Sequence, residues 1–207
     1  MKNYGQIKTI KSLRETKYKE KGSLFIGKVF PISSAEECEK TLAGIKKEYY
    51  DATHHCYAYK LTGGTLKYSD DGEPNGTAGI RILNAIEHFE LSGVMSVVIR
   101  YFGGVKLGVG PLGKAYYYSA FQTLEAADIV IKRPYKKISI TVDFNLLSRV
   151  HRILSDYKAI IDKTSYDSNV NFIFFAEIES IDSIEKELVG ISKGGINFTK
   201  PEDVEYL

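Results

Sequence analysis

Three groups of residues in this chain have the types and spacing to do chemistry. Asp70, Asp71 and Glu73 fall within one short stretch, close enough to hold a divalent cation or to supply a general base. His54, His55 and Cys56 form a consecutive run of metal-ligating and nucleophilic side chains. Gly108-Val109-Gly110-Pro111-Leu112-Gly113-Lys114 matches the first seven positions of a phosphate-binding P-loop. Cations at Arg100, Lys106 and Lys114 and rings at Tyr101, Phe102 and Tyr116 to Tyr118 accompany them.

Each group also has a plainer reading. The P-loop pattern fails at its eighth position, where Ala115 replaces the hydroxyl that would hold a nucleotide's metal. Pro111 also deletes an N–H from the loop, and no apolar strand ending in an exposed Asp supplies a second metal ligand. What survives is a glycine turn before a helix. It either offers N–H groups to an anion, with Lys106 and Lys114 adding charge, or packs helix against strand. For the acids the favoured reading is an Asx-turn or helix cap, with the remainder solvated. In a strand, His54 and Cys56 share one face and His55 the other, so the three cannot converge on one ion. Cys38, His88 and His151 add no ligand spacing. No metal or cofactor is therefore expected, and Cys56 reads as a buried thiol beside a surface histidine. Rings interleaved with cations suit stacking on single-stranded bases, or core and boundary positions.

The elements that must carry these residues follow from periodicity. Residues 17–22 read as a polar turn and 23–32 as a strand. Ser34 with Glu37 forms a capping box, behind which Cys38, Leu42, Ile45 and Tyr49 line one helix face. A strand at 54–61 breaks at Thr62-Gly63-Gly64. Residues 70–76 form a loop, Thr77 caps a helix reaching about residue 89, and the continuous apolar run at 94–102 is a buried strand. After the glycine turn at 103–110, Pro111 enters the first turn of a helix with Leu112, Tyr116, Ser119, Thr123 and Ala127 on one face. Arg133-Pro134 marks a boundary. Beyond it, strands near 138–142, 159–166, 170–178 and 196–199 alternate with helices capped by Asn145 and by Asp182 with Glu185. That order is the βαββαβ of a ferredoxin-like split βαβ unit. The expected domains are 1–133 and 134–207.

Eleven of the eighteen glycines lie between Gly63 and Gly113, so the region between the first and third groups is built for turns or close backbone approach. Net charge is only +2, which does not announce nucleic-acid binding. Its distribution says more: nineteen Lys/Arg face fourteen Asp/Glu over residues 1–134, and nine face twelve over 135–207. A basic N-terminal half permits an anionic partner without requiring one. No stretch is long and apolar enough for a membrane span, and the first six residues carry no secretory pattern. Two cysteines are too few for a disulfide framework and read as reduced thiols, so a cytoplasmic location is expected.

Several motifs together resemble the YigZ/IMPACT family. They are His54-His55-Cys56-Tyr57-Ala58-Tyr59, Ser69-Asp70-Asp71-Gly72-Glu73-Pro74, Gly76-Thr77-Ala78-Gly79, and Val98-Ile99-Arg100-Tyr101-Phe102-Gly103-Gly104-Val105-Lys106-Leu107-Gly108. The resemblance covers about residues 15–130, and the βαββαβ tail is similar to the C-terminal domain of bacterial YigZ-type members. It implies an α+β protein of two domains. The first would resemble the left-handed βαβ second domain of a small-subunit ribosomal protein, and the second the ferredoxin-like last domain of the ribosomal translocase. Eukaryotic relatives regulate translation through protein partners. The resemblance therefore implies a translation-associated regulator that binds RNA, the ribosome or a translation or stress-response factor through its N-terminal domain. No catalytic residue carries over. The implied binding surface comprises His54, Asp70, Asp71, Glu73, Arg100, Tyr101 and Lys106, to which the helix start adds Lys114. The alternative is an enzyme that binds a small molecule or phosphate with the 70–73 acids and the glycine-rich block. Fold analogy alone does not choose between them.

Overall fold

The apolar run at 94–102 has no polar face to give to water, so it must lie inside a sheet covered on both sides. The computed structural model, which describes residues 4–207, places it there. Residues 1–3, part of the stretch expected to lack a secretory pattern, lie outside the described residues. The chain divides into two units, Ile7–Ile131 and Lys132–Leu207, the latter with residues 4–6.

The first unit runs β1 (Ile7–Ile10), β2 (Arg14–Glu20), β3 (Ser23–Pro31), α1 (Ala35–Glu48), β4 (His54–Lys60), β5 (Leu66–Ser69), α2 (Gly79–His88), β6 (Val94–Tyr101), α3 (Val109–Glu125) and β7 (Ile129–Lys132). Its main sheet has the order β2-β3-β6-β4-β5, while β1 pairs with β7. Both β3 and β4 run antiparallel to β6, so they are parallel to each other and α1 carries the chain across the strand between them. One face of the sheet, with Phe25, Cys56, Val94 and Val98, packs under α2 and α3 through Ile82, Ile86, Leu112 and Tyr116. The other face, with Ile26, Met95, Val97 and Ile99, packs under α1 through Cys38 and Ile45. Gly27 lets α3 approach β3: a Cβ there would lie 2.1 Å from Thr123 Oγ1.

The structure departs from sequence expectation in particular places. Residues 14–20 are strand β2, and only Lys21 and Gly22 turn, with φ of 44° and 82°. Two successive positive φ values match the twist of a tight hairpin, which polar composition alone does not reveal. Strand β5 was not anticipated; Leu-Lys-Tyr-Ser is too short and polar to carry a periodic signal. At α1, Ser34 accepts the Glu37 N–H at 3.1 Å as a capping box requires, but Glu37 reaches back to Ser33 and not to Ser34. Thr77 does not cap α2; its hydroxyl bonds the carbonyl of Pro74.

The second unit contains β8 (Pro134–Val142), α4 (Leu147–Asp156), β9 (Ile160–Tyr166), β10 (Val170–Glu177), α5 (Ile181–Ser192), β11 (Asn197–Thr199) and β12 (Glu205–Tyr206). Its antiparallel sheet has the order β11-β8-β10-β9, the arrangement of a ferredoxin-like βαββαβ unit, with β12 also pairing β8. Ile138, Ile140, Phe172 and Phe174 face α4 and α5 through Val150, Leu154, Ile184 and Leu188. Asn145 and Asp182 do not cap these helices. Each helix is preceded by a 3₁₀ turn (Phe144–Leu146 and Ile178–Ser180) that tightens its entry, and no side-chain cap forms. The fold is α+β. No helix among the described residues is long and apolar enough to cross a membrane.

Candidate functional site

The site grows from the loop between β5 and α2. Asp70 follows β5 and turns its carboxylate onto three backbone donors ahead of it. Oδ1 accepts the N–H groups of Ala78 and Gly79 at 2.9 and 2.8 Å, and Oδ2 that of Gly76 at 2.9 Å. It caps α2 from nine residues upstream, where an anion also meets the positive end of the helix dipole. Gly79 is obligatory in this arrangement, because a Cβ there would lie 2.7 Å from the Ser69 backbone.

Asp71 follows with φ of 42° and faces the other side of the sheet. Its carboxylate accepts the His55 N–H at 2.7 Å and pairs with Lys46 Nζ from α1 at 2.9 Å. Burial alone would push the Asp71 carboxyl up, but Lys46 and the His55 N–H outweigh it and hold it below the ordinary aspartate value. His55 is buried, with Nε2 at 2.9 Å from the carbonyl of Tyr49. The surface histidine expected beside Cys56 is thus absent, since His54 is also largely covered. The reason is that β4 lies inside the sheet, with α-helices on both faces.

Glu73 turns inward. Its Oε1 receives Arg100 Nη1 from β6 at 2.5 Å and the Tyr116 hydroxyl from α3 at 2.8 Å. His54 Nε2 stands 3.8 Å from the same oxygen, and its Nδ1 lies 2.8 Å from the carbonyl of Asp71. The Ser23 hydroxyl accepts Arg100 Nη2 at 3.3 Å and the Gly103 N–H at 3.2 Å. The guanidinium lies over the rings of Phe25 and Phe102 at 5.4 and 5.5 Å. Both side chains of the ion pair are more than nine-tenths buried, and Arg100 Nε has no partner. One network therefore ties the loop to β3, β4, β6 and α3.

The structure thus brings His54, Asp70, Asp71, Glu73 and Arg100 together. Tyr101 points to the opposite face from Arg100, where its hydroxyl donates to Asp51 at 2.8 Å. Burial and then the Asp51 carboxylate push that hydroxyl up to about 12. Lys106 and Lys114 are exposed and lie outside the network. Cys56 is fully buried, its thiol donating to the carbonyl of Asp70 at 3.0 Å, and burial pushes its pKa up, which makes it a poor nucleophile. Among the described residues no group of three or more His, Cys, Asp or Glu side chains is placed to hold a metal ion. What the acids do here is hold backbone and a buried cation in position.

The glycine string at 108–115 is not a phosphate loop. Helix α3 begins at Val109, so Gly110, Pro111, Gly113 and Lys114 are already helical. Beside it lies a cleft of about 730 Å³ lined by Tyr18, Glu20, Arg81, Lys114, Tyr117 and Tyr118 together with Gly110, Pro111, Gly113 and Ala115. Of these, sequence reasoning singled out Lys114 and the tyrosine run. Tyr18 and Glu20 lie in a stretch whose polar composition resembles a turn, and Arg81 carries no local signal.

A model of the Impact N-terminal domain matches residues 21–124, and a domain of unknown function (DUF1949) matches residues 140–194. The IMPACT family member of Haemophilus influenzae is 32% identical over 178 residues, which cover 84% of this chain and 86% of that protein. The chain belongs to the IMPACT family. Along nearly the whole of the chain (96%) it is 29% identical to the IMPACT family member YvyE of Bacillus subtilis, 92% of which is covered. A solved structure titled "Crystal structure of an hypothetical protein" matches with a TM-score of 0.72 at 25% identity, covering 96% of this chain and 98% of that one. The loop network and the cleft both lie within the residues of this IMPACT chain that match the N-terminal domain, apart from Tyr18 and Glu20.

Proposed function

We propose that this IMPACT family member is a cytoplasmic, translation-associated regulator that contacts RNA, alone or on the ribosome, through its N-terminal unit. The observation that supports this is the meeting of two cationic turns. Gly22 of the β2–β3 turn and Gly103 of the turn after β6 touch through their backbones, so closely that a Cβ on Gly103 would lie 1.9 Å from the Gly22 carbonyl carbon. The contact sets the turn that carries Lys21 against the turn that leads to Lys106, and Lys19, Lys21 and Lys106 are all exposed. Lysines grouped in this way act as point charges for phosphates. The alternative of an enzyme using the 70–73 acids has less support, because Asp70 and Glu73 are spent on internal hydrogen bonds.

Filter binding of ribosomes and of single-stranded RNA at two salt concentrations tests the proposal. Replacing Lys19, Lys21 and Lys106 together by Gln should reduce the salt slope by roughly two, at about 0.7 per phosphate contact on a single strand. No binding at low salt, or an unchanged slope, would overturn it.

A further inference from the structure

The cleft beside α3 has features the loop network lacks: rings, cations and open space on the same wall. Its volume of about 730 Å³ is that of a small-ligand site, for which about 300–1,000 Å³ is usual. Three tyrosines line it. Tyr18 meets Tyr118 edge to face with ring centroids 4.9 Å apart, so each ring is held by its neighbour. Tyr117 leans on Phe121 at 5.9 Å. Gly110, exposed in the first turn of α3 with open space beside it, keeps that part of the helix wall low.

The charges are arranged asymmetrically. Arg81 crosses from α2 over Gly113, where an added Cβ would meet its Nε at 3.3 Å, and the same Nε donates to the carbonyl of Gly76 at 3.3 Å. Its position is thereby fixed, and Lys114 stands exposed on the adjoining helix. The single acid, Glu20, accepts the Tyr18 hydroxyl at 2.6 Å. Val109 and Gly110 are in the first turn of α3, whose N–H groups lie outside the helical ladder, and Gly108 provides no side-chain cap. Two cations beside phenol rings complement a ligand that is planar and aromatic at one end and anionic at the other.

We propose that this cleft binds a nucleotide of single-stranded RNA, with the base against Tyr117 and Tyr118 and the phosphate toward Arg81 and Lys114. The inference rests on the RNA-contacting reading above and locates where a base is gripped; the lysine turns attract backbone, while the cleft stacks. Stacking of this kind tolerates any base, so weak sequence preference is expected.

The test is fluorescence anisotropy of the full chain with labelled ten-nucleotide oligo(U) and oligo(A), with UMP and AMP as competitors. Tyr118→Ala should weaken oligonucleotide binding roughly 5- to 150-fold, as loss of one stacked base does, whereas Tyr118→Phe should preserve it. Lys114→Gln should reduce the salt slope by about 0.7. Both side chains are exposed, so circular dichroism of the variants should match the parent protein and the effects read on binding alone. If the oligonucleotides bind but none of these variants changes affinity, the cleft assignment falls while the RNA reading stands. If no RNA binds at low salt, both fall. Mononucleotides that compete as strongly as the oligomers, mole for mole, would make this a free-nucleotide site and overturn the proposal. Photocrosslinking of a 4-thiouridine oligomer should label Tyr117 or Tyr118, and labelling confined to the 19–21 and 103–106 turns would also overturn it.

Discussion

Replacing Asp70 tests whether one side chain organises the whole candidate loop. In Asp70→Ala three charge-assisted hydrogen bonds vanish, and two of the three donors, Ala78 and Gly79, are buried beyond the reach of water. Stranding a buried donor costs about 1–3 kcal/mol, and losing an anion at a helix start adds about 0.3–1 kcal/mol. Together with the partly exposed Gly76 donor this predicts a loss of about 4 kcal/mol, a large part of the roughly 5–15 kcal/mol that stabilises a domain. Asp70→Asn separates the contributions. Its carbonyl oxygen can keep the two donors on Oδ1, but its amide faces the Gly76 N–H, so about half the loss is expected. In urea, with a slope near 2 kcal/mol/M, the midpoint should fall by about 2 M for Ala and about 1 M for Asn, at unchanged slope. Far-UV circular dichroism follows the transition, and hydrogen exchange of the α2 amides assigns it to the N-terminal unit. A midpoint within about 0.5 M of the parent for Asp70→Ala, or equal effects of Ala and Asn, would refute the cap as the organising contact.

Two further perturbations probe the same loop. Arg100→Met leaves the Glu73 carboxylate buried with Tyr116 as hydrogen-bond donor and His54 at 3.8 Å, and should cost about 3–5 kcal/mol, of which adding Glu73→Gln recovers a part; additive effects in the double-mutant cycle would show that the pair is not coupled. Asp71 titrates below its ordinary value of 3.8 in the folded protein, so its contribution is complete above that pH. As pH falls through this range the unfolded chain takes up the proton first, and the contribution is lost as pH reaches the lower folded value. The stability gap between the parent and Asp71→Asn, measured by urea titration from pH 6 downward, should be constant at first and close below about pH 4; a gap that widens on acidification would contradict the Lys46 and His55 contacts.

Much of the fold was legible because its elements carry strong periodic signals. The two-faced apolar run of β6, the single face of α1, and the alternation of Phe172, Phe174 and Ala176 on β10 leave little choice of element type. Misreadings fell where signals are short or polar: β2, taken for a turn, the four-residue β5, and the entries of α4 and α5, where a 3₁₀ turn replaces a side-chain cap. The candidate residues were legible as types, not as roles. Asp70 was expected to serve a turn or cap, and it caps a helix, but its donors are eight and nine residues away. Arg81 and Tyr18 had no local feature that would join them to Lys114.

The amino-acid sequence by itself determined the family, the two-part α+β order and the clustering of glycine, acid and cation between residues 63 and 114. These depend on local spacing, which a linear string preserves. Only the tertiary structure decided which charges are spent and which remain available. Glu73 and Arg100 are far apart in sequence and meet because β6 lies between β3 and β4, and their burial turns two apparent binding groups into a brace. The same packing of α2 against α3 sets Arg81 over Gly113 and opens the tyrosine cleft beside it. Burial and long-range pairing are properties of the assembled sheet and its covering helices, and no spacing rule along the chain encodes them.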